Sequence, residues 1–164
     1  MTDRTPLTDD HRTIAKLIKG VRIAMLTTAE ANGRLVSRPM TTQDVEFDGD
    51  IWFIAERDSE LATQIAAGNT EVNVAYAGSS SWVSVSGKAR LVDDRTKLRE
   101  EWNRFTEAFF EGGPENPNNV LLLVEGDTAE FWDSPGGKVT QLANLAKSLV
   151  KKEPVDGENR IVEL

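Results

Sequence analysis

Residues 21–55 read VRIAMLTTAEANGRLVSRPMTTQDVEFDGDIWFIA, and the punctuation of this stretch decides the fold. Val21 to Thr27 is an apolar-rich run that leads toward Asn32-Gly33, a dipeptide suited to the positive φ angles of a tight hairpin turn. Leu35 to Gln43 returns from it. Asp44 to Phe47 then reaches Asp48-Gly49, a second hairpin signal, and Ile51 to Ala55 follows as a further strand. Strands this short, joined by turns this tight, pair antiparallel.

Outward from this core the pattern continues. Before it, residues 8–20 predict a helix: Thr8 is the N-cap, Asp9 and Asp10 suit the positive helix start, and Gly20 suits the stop. Ile14, Leu17 and Ile18 share one face of it. After it, Asp58 or Ser59 opens a short second helix with Leu61 and Ile65 stacked at i, i+4 and Gly68 at its end. Val72, Val74 and Tyr76 alternate in a strand, and Trp82 to Val92 forms the longest one. A third helix is expected over 94–110, with Leu98, Trp102, Phe105 and Phe109 on one inward stripe. Gly112-Gly113-Pro114-Glu115-Asn116-Pro117 breaks the chain. Val120 to Val124 reads as a central strand and Ala129 to Trp132 as its separate partner. A last helix is expected over about 138–150, with Val139, Leu142, Ala146 and Leu149 inward. About seven hairpin-linked strands with inserted helices predict a mainly β protein with α elements, an antiparallel barrel with helices packed outside. Residues 1–150 are expected to form a single domain and 151–164 a charged tail, ordered only at Ile161 and Val162.

Composition narrows the chemistry. The 164 residues contain no cysteine and one histidine, so disulfides, thiolate metal sites and cysteine nucleophiles are excluded. A histidine-based zinc site or a Ser-His-Asp triad has only His11 to draw on. The net charge of −8 repels a phosphate backbone, which argues against nucleic acid as a partner. There is no apolar run long enough to span a bilayer and no basic-then-apolar leader; the expectation is a cytoplasmic protein without a membrane partner. Chemistry must come from a borrowed cofactor, or from carboxylates and hydroxyls.

Two positions suggest an anion. Arg38-Pro39-Met40 lies inside a strand, where proline belongs at an edge or bulge, and an arginine beside such a break can present its fork to a phosphate. An ion pair with a nearby carboxylate is the commoner fate of such an arginine. Ser59 opens a helix, whose unpaired N–H groups and dipole favour a phosphate; plain N-capping is the commoner role, worth roughly 1 kcal/mol. Trp102 falls on a helical stripe and reads as core. Trp132, at a strand end before Asp133-Ser134-Pro135, could flank a planar ligand or pack half-buried. No GxGxxG or GxxxxGK[ST] loop occurs.

In order and spacing these segments resemble the pyridoxamine-phosphate-oxidase-like split barrels, in particular their general-stress-protein branch. The resemblance rests on Arg38-Pro39-Met40, on Ile51-Trp52-Phe53-Ile54-Ala55 followed by Ser59, and on Trp82-Val83-Ser84-Val85-Ser86-Gly87. It continues through Leu98 to Asn103, Gly112-Gly113-Pro114 to Pro117, and Ala129-Glu130-Phe131-Trp132-Asp133-Ser134-Pro135.

What it implies is FMN, or FAD, bound at the interface of a homodimer. Arg38 and Ser59 would hold the phosphate. Met40 and Thr41 would line the flavin edge, Phe53, Ile54 and Ala55 would lie along the ring, and Trp132 would approach from the other subunit. The resemblance further implies a flavin-dependent oxidoreductase, with a non-catalytic flavin-buffering stress protein or a deazaflavin-dependent reductase as the alternatives. A haem-binding role is disfavoured because His11 lies outside the barrel segments.

Two departures carry expectations of their own. Related chains often have a lysine two residues after the serine, where this one has Leu61. A lost charge-assisted hydrogen bond costs about 1.5–3 kcal/mol, a weakening of about ten- to a hundredfold. The stretch Asp156 to Leu164 also lacks the basic, tryptophan-containing character of the authentic oxidases, so efficient pyridoxamine-phosphate oxidation is not expected.

Overall fold

The computed structural model of the protein describes residues 8–43, 47–134 and 158–164. Its elements run in the order α1 (Asp9–Ile18), β1 (Ile23–Ala29), β2 (Leu35–Thr41), β3 (Asp50–Glu56), α2 (Glu60–Ala66), β4 (Glu71–Ala77), β5 (Ser81–Val92), α3 (Arg95–Glu101), α4 (Arg104–Glu107), β6 (Asn119–Asp133) and β7 (Glu158–Glu163). All strand pairings are antiparallel, and the sheet runs β2-β1-β4-β5-β6-β3, with β7 added to β6. This is the split β-barrel, mostly antiparallel sheet with a few helices around it.

The helix start was read correctly in its chemistry. Thr8 caps α1, its hydroxyl accepting from the His11 N–H, while the His11 side chain accepts from the Thr8 N–H in return. His11 is buried by this duty and by the Phe47 ring. The first hairpin also forms where expected: Glu30 and Arg34 bracket its loop, and Gly33 takes φ 83°.

One face of every strand looks inward. Ala24, Leu26, Val72, Val74, Val83, Val85, Phe53, Leu122, Val124, Ala129 and Phe131 form a continuous core with Ile14 of α1 and Leu61 and Ile65 of α2. A smaller cluster on the far side of β3 joins Ile54, Leu121 and Leu98, with Trp52, Trp102 and Phe110 packed against it. Strand β3 is therefore buried on both faces.

β3, the strand after Asp48-Gly49, pairs with β6, Ile51 facing Val124; the expected hairpin partner before the turn falls on residues 44–46, which lie outside the described residues. Three expectations need correction. The supposed turn between Val124 and Ala129 is continuous strand. A fifteen-residue β6 bends there, because Gly126 lets the backbone pass Gly49 O, which a Cβ would meet at 2.7 Å. The single helix over 94–110 is two. Asn103 interrupts it by accepting from the Phe105 and Thr106 N–H groups, a local bond that competes with helix continuation. Phe105 and Phe109 are consequently exposed rather than inward, with their rings 5.1 Å apart.

The last correction concerns the C-terminal end. Its order extends beyond Ile161 and Val162: the whole of Glu158–Glu163 pairs with Thr128–Asp133, and Val162 is buried. The helix expected over 138–150 lies outside the described residues.

Candidate functional site

The barrel is split because its two terminal strands, β2 and β3, approach each other without forming a ladder. Backbone alternation shows what each presents to that seam. The Thr42 N–H donates to Arg22 O at 3.0 Å, so the even-numbered residues of β2 bond to β1 while Ser37, Pro39 and Thr41 turn their backbone groups to the open edge. Pro39 thus sits where a missing N–H costs no ladder bond. On β3, Gly49 O accepts from the Gly126 N–H at 3.0 Å, and the Arg57 N–H donates to Asn118 O at 2.7 Å. The odd-numbered residues therefore serve β6, and Trp52, Ile54 and Glu56 face the seam with their backbones.

Arg38 stands at the middle of β2 on the core-facing side, opposite Leu26. Its Nη1 donates to Thr28 Oγ1 at 2.9 Å, and that hydroxyl donates on to Gln64 Oε1 of α2 at 3.1 Å. Its Nη2 is buried and donates no hydrogen bond. Glu60 Oε2 lies 3.5 Å away, within ion-pairing range but without hydrogen-bond geometry. The Glu60 side chain is mostly exposed and that of Arg38 mostly not, so solvent at the glutamate screens the attraction between them. An orphaned guanidinium nitrogen beside the start of α2 fits a phosphate oxygen in both charge and donor capacity.

Ser59 is the N-cap of α2, its Oγ accepting from the Ala62 N–H at 3.2 Å. Arg38 and Ser59 are brought together, since Glu60 bridges from one to the other. Leu61, at the position where a lysine was noted as missing, is a buried core side chain and faces no ligand.

The other sequence-picked residues divide. Met40 packs against the core opposite Ala24, whereas Thr41 lies on the opposite face beside Ile23, so their side chains cannot line one surface together. What Thr41 offers the seam is its backbone. Phe53 and Ala55 bury their side chains and spend their backbones on β6; Ile54 packs toward Leu98 and presents only backbone to the seam. Trp132 is on the outer face of β6, directly opposite Trp82 of β5. Along the sheet three strands, β1, β4 and β5, lie between it and Arg38 of the same chain, and the two side chains are on opposite faces.

A cavity of 530 Å³ opens beside the seam, and it contains none of the picked residues. Phe47, Ile51, Trp52 and Tyr76 wall it, with Thr42, Gln43 and Asp50 at the strand ends and Lys19, Gly20 and Arg22 at its lip. Burial pushes the Tyr76 phenol pKa up, so the group stays a neutral donor. The signal that could have located this cavity was Lys19 and Arg22, two cations flanking Gly20 in an acidic chain. Among the described residues no cluster of His, Asp or Glu is arranged to hold a metal ion, and no helix is long and apolar enough to cross a membrane.

This arrangement has counterparts. Residues 9–156 match the family described as pyridoxamine 5'-phosphate oxidase like. The chain belongs to that family. A Jannaschia sp. CCS1 structure classed with general stress protein 26 superposes with a TM-score of 0.79 at 28% identity, covering 96% of this chain and all of that one. The general stress FMN/FAD binding protein of Xanthomonas citri gives 0.67 at 28% identity, over 79% of this chain and 93% of that one. Protein bli-3 of Neurospora crassa is 27% identical over 161 residues, 91% of this chain and 77% of that one.

Proposed function

We propose that this protein binds FMN, or FAD, at the β2–β3 seam and works as a flavin-dependent oxidoreductase in the form of a homodimer. The observation that carries the reading is Arg38 Nη2, a buried cationic donor without a hydrogen bond at the opening of α2. The flavin-binding relative from Xanthomonas citri supports it. A bound flavin would supply hydride-accepting chemistry that this chain, without cysteine and with its one histidine committed to a helix cap, does not.

The chain's own groups have three tasks. Arg38 and the first turn of α2 hold the phosphate. The edge-facing backbones of Thr41 and Ile54 meet the polar rim of the ring, as donors and acceptors fixed by the sheet. A second subunit covers the ring. The outer sheet face gives the reason for a second copy: Trp82 is 47% exposed and Trp132 38%, with Met25, Ile23 and Ile161 on the same face. Trp132 can reach a seam only across such an interface.

Titrating FMN and riboflavin against the parent and an Arg38→Ala variant tests the reading. FMN is expected to bind with micromolar or better affinity. The variant is expected to lose about ten- to a hundredfold for FMN, and little for riboflavin, which lacks the phosphate. No saturation at millimolar FMN, or equal losses for both ligands, overturns it.

A further inference from the structure

We propose that the 530 Å³ cavity beside the seam binds an aromatic monocarboxylate, with the carboxylate held at the lip by Lys19 and Arg22 and the ring inserted among the core-facing Phe47, Ile51 and Tyr76. The volume is that of an ordinary small-molecule site, and a mostly apolar wall with a few convergent polar groups is the usual composition of one.

The charge at the lip is what specifies an anion. Most described cations of this acidic protein are in ion pairs, from Arg12 with Asp9 to Arg160 with Asp10. Lys19 and Arg22 are exposed and in none, and neither makes a side-chain hydrogen bond. They flank Gly20 at the turn from α1 into β1, and both also border an open groove that continues past Lys16 to Ser79, Ser80 and Ser81. Two solvated, uncommitted cations at the mouth of an apolar hole attract an anion and give it charge-assisted hydrogen bonds.

The balance favours one negative charge rather than two. Asp133 lines the adjoining groove that shares Lys19 and Arg22, so a second negative charge would meet a carboxylate beside the same two cations. Tyr76, kept neutral by burial, can donate to an acceptor on the ring without adding charge. The site stands whether or not flavin occupies the seam; flavin in the seam would make its occupant a substrate candidate.

The experiment uses 1-naphthoate, neutral 1-naphthamide and 1-naphthyl phosphate as probes, followed by quenching of tryptophan fluorescence. Saturable naphthoate binding is expected in the parent. In a Lys19→Ala/Arg22→Ala double variant, both positions being exposed, naphthoate is expected to weaken at least about tenfold while naphthamide is unchanged. Ala15→Phe, which fills the cavity from α1, is expected to remove both ligands. FMN affinity of the double variant is expected to equal that of the parent, which separates this site from the flavin site. The proposal is overturned by unsaturable naphthoate binding, by equal losses for naphthoate and naphthamide, by naphthyl phosphate binding more tightly than naphthoate, or by a parallel loss of FMN.

Discussion

Glu60 competes with any phosphate for Arg38, and removing its charge is expected to tighten FMN binding. Its Oε2 lies 3.5 Å from Arg38 Nη2, and its Oε1 accepts from Gln64 Nε2 at 3.2 Å. A phosphate on the other side of the same guanidinium would stand about 6 Å from the carboxylate. At that separation two unit charges repel by roughly 0.7 kcal/mol in water-like surroundings and roughly 3 kcal/mol in protein-like ones. With the Glu60 side chain 68% exposed, the water-like end applies, and Glu60→Gln is expected to raise FMN affinity about threefold for a singly charged phosphate and about tenfold for a doubly charged one. The substitution keeps the length of the side chain but forfeits a favourable charge at the start of α2, a loss of about 0.3–1 kcal/mol in stability. Calorimetry with FMN and riboflavin at low and high salt checks this. The gain should be confined to FMN and should shrink as salt screens it. An equal gain for riboflavin, or none for FMN at low salt, would sink the idea that phosphate and Glu60 share Arg38.

Further outcomes follow from the packing. Trp82→Arg, on the exposed outer face, is expected to convert a dimer to a monomer in sedimentation velocity; an unchanged dimer would move the interface elsewhere. Gly87→Val is expected to cost about 3 kcal/mol or more in urea unfolding, because a Cβ there would stand 2.1 Å from Glu125 O in the next strand. A loss under about 0.5 kcal/mol would mean that the bulge between Ser86 and Gly87 relaxes freely. Val162→Asp is expected to cost several kcal/mol, by burying an unpaired carboxylate against β6. An unaltered midpoint would show that β7 contributes little to the folded state.

The parts of the fold legible in the sequence were those written in local chemistry. Thr8 and Ser59 announced helix starts because a hydroxyl at an N-cap has a short-range job, and both do it. Asn32-Gly33 announced a turn because few residues tolerate its φ. Long-range pairing was not legible at all: β3 pairs with β6, a partner about seventy residues along the chain that no local pattern names. The misreadings came from signals with two meanings. Glu125-Gly126-Asp127 looks like a turn between two strands and is a bend in one. Trp102, Phe105 and Phe109 are spaced as a helical stripe, and a capping asparagine in the middle of that spacing turned two of them outward.

The candidate site was half legible for a related reason. Arg38 and Ser59 could be picked out because a guanidinium and a capping hydroxyl carry their chemistry in the side chain. Thr41 and Ile54 face the seam through N–H and C=O groups that every residue but proline possesses, so residue type says nothing about which of them is free. That freedom is fixed by ladder phase: one hydrogen bond, Thr42 N–H to Arg22 O, assigns all of β2, and Gly49 O to Gly126 N–H assigns all of β3. An open pair of strand edges is ordinarily a liability, since bare N–H and C=O groups invite another chain. Here the edges approach each other without a ladder between them, and Pro39 removes one of the donors that would otherwise be left bare. A planar heterocycle with donors and acceptors along its rim satisfies such a gap better than a third strand would, because it brings polar groups without a chain to order. The same reasoning says where variation is tolerated. Side chains at Thr41 and Ile54 can change without altering what the seam presents, provided the strand phase is kept, whereas a one-residue insertion in β2 or β3 would turn the bonded backbone groups outward and close the site.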